Sequence, residues 1–149
     1  MRGLLLACVV LAGCSDGLKG DQAIVRDFIQ MKRGSDPVKF VRWWAPVSAK
    51  EADFATLFAA ANKAKDSDKA LGLPVSVRHM DSDMIELLVS KTPPTSLVRV
   101  QFRTPNKAGQ MELSDSVYYL KDGTFAFSWA AETDHGSEVY NAWIRRMFP

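Results

Sequence analysis

The chain has 149 residues, a length that fits one domain with its own hydrophobic core. Its 19 basic and 17 acidic side chains are interleaved, which argues against the concentrated basic surface of a nucleic-acid-binding protein. One of the two cysteines, Cys8, lies in a segment expected to be removed. The mature chain is therefore predicted to contain no disulfide and no thiolate metal site.

The first 13 residues have the features of a secretory signal peptide. Met1-Arg2 supplies a positive charge, and the apolar run from Leu4 to Leu11 is too short to cross a bilayer as a helix. The run ends in Leu11-Ala12-Gly13-Cys14, which resembles the lipobox of bacterial lipoproteins. That resemblance implies cleavage before Cys14 and an anchor of two or three acyl chains on this residue. An ordinary secretory signal with a coincidental cysteine is the alternative.

Residues 14–20 are predicted to be the lipidated cysteine and a short polar tether. In enterobacterial lipoproteins, an aspartate directly after the lipidated cysteine favours retention in the inner membrane. Ser15 occupies that position here, and Asp16 comes one residue later. The resemblance therefore implies the outer membrane, with the protein facing the periplasm.

Residues 21–149 are predicted to form a single domain that begins with three helices. The first runs from Asp21, a candidate N-cap, to Gly34. A second is predicted from Asp36 to Pro46, and a third follows the capping box Ser48-Ala49-Lys50-Glu51. The apolar residues expected on one side of the second helix are Phe40, Val41, Trp44 and Val47.

After Leu73 the apolar period changes to two, which predicts antiparallel strands. A hairpin is expected within residues 75–89. In the next strand, apolar residues, including Phe102, are predicted to face the core. The alternating residues predicted to face solvent are Arg99, Gln101 and Arg103.

A further strand is predicted over residues 111–119, followed by a tight hairpin at Asp122-Gly123, where both residues tolerate positive φ. Beyond this turn Phe125, Phe127 and Trp129 are expected on one face of a strand. A last helix with a broad apolar surface is predicted to start at Ser137.

Helices followed by an antiparallel meander predict an α+β fold. The N-terminal helices are expected to pack on one face of a curved antiparallel sheet of about five strands, with a C-terminal helix. This order resembles the NTF2-like and cystatin-like group over roughly residues 21–148. The resemblance implies a curved sheet around a helical layer, often with a conical cavity.

Two clusters of acidic residues and histidine are candidates for chemistry. The first is His79, Asp81 and Asp83, and the second is Glu132, Asp134 and His135. An exposed turn accounts for the first cluster, and a helix N-cap accounts for the second. No nucleophile elbow, phosphate loop, paired zinc motif or EF-hand pattern is present in the sequence. We therefore predict no catalytic residue, no metal ligand and no cofactor.

Aromatic and basic side chains are the better candidates for binding. Trp43 and Trp44 differ by about 100° around their predicted helix, so one can be buried while the other lies at the rim of a cavity. Arg99 and Arg103 lie four residues apart on the same polar face of a strand, with Gln101 between them on that face, and there they could contact an acidic partner. A core role for the tryptophans and a solvated face for the arginines are the alternatives.

These observations predict a lipid-anchored, non-enzymatic protein of the bacterial envelope. Its partners would be the membrane, through the acyl chains on Cys14, and an envelope protein or an apolar ligand. Binding is expected through the sheet or the mouth between helices and sheet. The alternatives are a small pocket enzyme of NTF2-like type and a structural accessory of a secretion or envelope complex.

Overall fold

The computed structural model describes residues 20–52, 54–70, 94–131 and 138–149. The helices are α1 Asp21–Arg33, α2 Ala49–Ala52, α3 Phe54–Ala70 and α4 Glu138–Met147. The strands are β1 Lys39–Trp43, β2 Val47–Ser48, β3 Ser96–Pro105, β4 Met111–Lys121 and β5 Thr124–Ala130. The α+β class is confirmed. Cys14, the predicted hairpin at 75–89 and both clusters with histidine lie outside these ranges.

The five strands form one antiparallel sheet in which β3 and β4 are central. The order is β1-β3-β4-β5, and β2 also pairs with β3. β1 pairs with the middle of β3, residues 100–103, whereas β2 pairs with the first two residues of β3, so β1 and β2 lie along the same edge. No helix within the described ranges is both long and apolar enough to cross a bilayer.

The second predicted helix is wrong, because its residues form the edge strand β1. A bulge in β1 between Phe40 and Arg42 places Phe40 and Trp43 on the same face of the sheet, with ring centroids 5.2 Å apart. Two apolar residues three apart on one face imitate the spacing of a helix. Aromatic and β-branched residues beside a strand that offers hydrogen bonds favour the extended form.

Helices cover both faces of the sheet, so the expectation that they share one face is also wrong. α1 packs Val25 and Ile29 on one face, which we call the α1 face. On the opposite face, which we call the α3–α4 face, α3 and α4 share a second cluster. The cause lies in β4, where the four residues 117–120 are all buried and alternate between the two clusters.

The β4–β5 hairpin turns at Asp122 and Gly123 as predicted, with φ of 49° and 73°. Beyond the turn, a shift in register places Phe125 on the α1 face and leaves Phe127 on the α3–α4 face. The predicted common face for Phe125, Phe127 and Trp129 is therefore wrong for Phe125. The same shift brings Phe125 under α1.

The remaining predicted elements are confirmed within the described ranges. α1 begins at Asp21, although Gly20 and not Asp21 is its N-cap, and it ends before Gly34. Ser48, the first residue of the capping box, directly precedes α2. α4 buries Tyr140, Trp143 and Ile144. These elements share strong local signals, namely a cap, an apolar stripe or both.

Candidate binding site

The structure brings together two of the four residues predicted to bind a ligand or partner. Trp44 follows the end of β1 and is buried on the α3–α4 face. The guanidinium carbon of Arg99 lies 4.4 Å from the centroid of the Trp44 ring, and that of Arg42 lies 4.3 Å from it. Both distances fit cation–π contact.

Arg99 is buried, which corrects the prediction that it faces solvent. Its Nε donates to Asp115 Oδ1 at 3.0 Å, and its Nη2 donates to Asp115 Oδ2 at 2.8 Å. Gln101 Nε2 donates to Oδ2 of the same carboxylate at 2.8 Å. The side chains of Arg99 and Asp115 are only 7% and 18% exposed. A bidentate pair at this depth positions Trp44 and the strands, and it is not placed to meet an acidic partner from solution.

Two tyrosines complete the polar interior on this face. The hydroxyl groups of Tyr119 and Tyr140 lie 2.9 Å apart and form a buried hydrogen bond. Burial raises the pKa of both phenols well above the ordinary value, and the hydrogen bond to Tyr140 further raises that of Tyr119. Both groups are therefore neutral at physiological pH, and they satisfy each other within the core.

The other two predicted residues lie apart from this cluster. Trp43 is opposite Val100 and packs against the cluster of the α1 face. Arg103 is exposed, as predicted, opposite Lys39 on β1 and Leu113 on β4. The four residues therefore do not form a single site.

A groove on the α1 face is the clearest site for a ligand. It has a volume of about 410 Å³ and opens between the last turn of α1 and the sheet. A volume of this size lies within the range of small-molecule sites. The residues that line it are Phe28, Ile29, Lys32, Arg33, Phe102, Tyr118, Phe125 and Ser128.

Three aromatic rings form one wall of the groove. Phe28 of α1 stacks on Phe125 of β5, with ring centroids 3.8 Å apart and ring planes 19° apart. Tyr118 lies 6.2 Å from each of these rings, edge-on to Phe28. Contacts of this kind hold the wall in a fixed shape. The alternation of residues in β5 does not predict this wall, because Phe125 lies on the α1 face only as a result of the register shift in β5.

Two cations stand at the same groove. The Nζ atom of Lys32 lies 5.7 Å from the centroid of the Phe28 ring. Burial raises the pKa of Tyr118 to about 12, although the nearby charge of Arg33 acts to lower it. Among the residues that the structure describes, no acidic side chain lines the groove and neither Lys32 nor Arg33 has an ion-pair partner. The groove therefore combines an apolar wall with net positive charge.

A second groove, of about 320 Å³, lies between α3 and α4. Its lining is mostly apolar, and Arg146 is the one charged residue among the described residues that line it. The other residues that line it are Thr56, Leu57, Ala60, Val139, Ala142 and Trp143. Unlike the groove on the α1 face, it has no paired cations beside an aromatic wall.

Groups suited to holding a metal are not found in the described ranges, where no three His, Cys, Asp or Glu residues come together. The cysteine and the two histidines of greatest interest for chemistry, Cys14, His79 and His135, are not among the described residues. In comparisons with known proteins, no family model, no curated protein and no solved structure matches the chain.

Proposed function

We propose that this protein is a lipid-anchored, non-enzymatic binding module of the bacterial envelope, and that its site is the groove on the α1 face. The observation that carries the proposal is the combination of an aromatic wall with two cations that have no acidic partner among the described residues. On the α3–α4 face, by contrast, the buried Arg99 is already held by Asp115. On the α1 face, the charged groups of Lys32 and Arg33 are exposed and can contact a ligand in the groove.

The anchor supplies the location in this proposal. Acyl chains on Cys14 would hold the domain beside the outer membrane, on its periplasmic side, through a tether of six residues before α1. A tether this short keeps the domain within about 20 Å of the lipid headgroups. The groove would then meet envelope proteins or apolar molecules released from the bilayer.

A structural accessory of an envelope complex is the second candidate. Its support is the set of large apolar side chains exposed on the surface, since such residues mark interaction sites when they lie together. These residues are Met31, Val41, Met111 and Leu113. The third candidate, a small pocket enzyme, would need His79 or His135 beside a carboxylate in a cleft, and both histidines lie outside the described residues.

Native purification from membranes in detergent, followed by mass spectrometry of proteins and small molecules, tests the binding proposal. Ser128→Trp narrows the groove from β5 and should release the bound component. Arg103→Trp places the same indole on an exposed strand position and should leave binding unchanged. If both variants retain the same component, the groove is not the site. Large protein partners retained by both variants would favour the accessory function.

The anchor is tested by Cys14→Ser. Acyl chains need the cysteine sulfur, so this variant should remain unprocessed or leave the membrane. Fractionation and intact mass of the wild-type and variant proteins measure both effects. A serine variant that stays with the membranes at the mass of the mature wild type would contradict the lipoprotein assignment without affecting the groove.

A further inference from the structure

We infer that the groove on the α1 face binds a single-chain amphiphile with an anionic head, whose hydrocarbon chain lies on the aromatic wall and whose head lies between Lys32 and Arg33. This inference rests on the proposed function, because it names the ligand class of the same groove. Free fatty acids and anionic lysolipids share this chemistry.

The apolar part of the ligand is specified by the walls. Phe28, Phe125 and Tyr118 present ring surfaces, and Ile29 and Phe102 add apolar contact from the helix and the sheet. A flexible hydrocarbon chain can follow such a surface, since hydrophobic contact has no directional requirement. Each CH₂ group that the groove covers should strengthen binding about fourfold.

The charged part is specified by Lys32 and Arg33. Both lie in the last turn of α1, where cations also interact favourably with the helix dipole. The dipole does not account for their place beside the groove. The charge of Arg33 acts on Tyr118, a residue of the aromatic wall, so its field reaches the interior of the groove. An anionic head would neutralise two cations that have no ion-pair partner in the described part of the chain.

A purely apolar ligand and a cationic ligand fit less well. An apolar ligand would displace water from beside Lys32 and Arg33 and would supply no counter-charge, which costs binding free energy. A cationic ligand would be repelled by them. An anionic head is therefore the choice that satisfies the whole lining of the groove.

The test uses the chain from Ser15 onward. The buried residues of both core clusters lie between Val25 and Phe148. Calorimetric titrations would compare decanoate, decyl phosphate, decanol and decyltrimethylammonium, all below their aggregation limits. We expect both anions to bind at least tenfold more tightly than decanol, and the cation to give no binding. Octanoate and laurate would measure the dependence on chain length.

The charge-reversal variant Lys32→Glu/Arg33→Glu should weaken decanoate binding at least tenfold and leave the affinity for decanol nearly unchanged. Its milder counterpart, Lys32→Gln/Arg33→Gln, should show a smaller loss in the same direction. Both positions are exposed, so either double variant should keep the thermal midpoint of the wild type. Arg103→Glu, a reversal on the opposite face, is the matched control and should not change decanoate binding.

Decanol binding as tightly as decanoate would overturn the anionic head and leave an apolar groove in place, so the proposed function would stand. Binding of neither molecule would overturn the inference, and the natively purified material would then decide the proposed function separately. Decanoate affinity unchanged in both double variants would likewise overturn it. Retention of a protein in place of an amphiphile in the native preparation would identify a different class of partner.

Discussion

Each face of the sheet carries its own hydrophobic cluster, but the charged side chains of the two faces differ in their surroundings. On the α3–α4 face, Arg99 is buried beside the Trp44 ring and paired with Asp115. On the α1 face, a single helix leaves an open groove where Lys32 and Arg33 stand without acidic partners among the described residues. A buried charge needs a partner of opposite charge within the protein, whereas an exposed charge is solvated by water and stays accessible to a ligand. The comparison therefore separates residues that hold the fold from residues that can bind.

The largest effect should come from the core of the α1 face. Phe102 is 3% exposed and packs under α1, so Phe102→Ala should lower the free energy of unfolding by about 3 to 5 kcal/mol. Arg103→Ala, at the next position of β3 but on an exposed site, should change it by no more than about 0.5 kcal/mol. Denaturant titrations of the chain from Ser15 measure both values. Equal losses in the two variants would contradict the placement of β3.

On the α3–α4 face, the paired charges should dominate. Asp115→Ala would leave the guanidinium of Arg99 buried without its carboxylate and should cost about 3 kcal/mol of unfolding free energy. The double variant Asp115→Ala/Arg99→Met should be more stable than Asp115→Ala alone, because it removes the unpaired charge. Asp27→Ala breaks the exposed pair with Arg26 and should cost less than about 1 kcal/mol. A loss as small for Asp115→Ala as for Asp27→Ala would end the contrast between the two faces.

The smallest expected effect is the decline in the free energy of unfolding at alkaline pH, which depends on the buried tyrosines of both faces. Burial raises the pKa of Tyr118 on the α1 face to about 12, and it raises those of Tyr119 and Tyr140 as well. Since the folded state holds these protons more tightly, their stabilisation is complete below pH 10 and declines as the pH rises through the folded values.

Unfolding free energies of the wild type and of Tyr118→Phe between pH 9 and pH 12 provide the measurement. The chain has three tyrosines, so the substitution should remove about a third of the tyrosine-dependent decline in this interval. Tyr119→Phe is the matched variant on the other face and should also reduce the decline, because burial raises the pKa of Tyr119 as well. A pH dependence unchanged by Tyr118→Phe would show that this phenol is not held in its neutral form.

Local signals in the chain were sufficient for most elements. The apolar stripe and Gly34 predicted α1, the capping box predicted α2 and α3, and Asp122-Gly123 predicted the β4–β5 turn. Each signal acts within a few residues, because caps and turns are satisfied by neighbouring backbone groups. The helix wrongly predicted at Phe40 and the wrong face predicted for Phe125 both occur next to bulges, where one inserted residue changes the face that later side chains occupy.

By itself, the sequence determined the α+β class and the alternating apolar residues of β3. It also contains Leu11-Ala12-Gly13-Cys14, which resembles a lipobox. It could not decide which face each helix covers, because Val117, Tyr118, Tyr119 and Leu120 form a continuous apolar run that suits either side. Only the tertiary structure buried Arg99 against Asp115 and left Lys32 and Arg33 beside the aromatic wall. The reason is physical: local patterns specify which residues avoid water, whereas the pairing of distant strands and helices decides which charges find a partner.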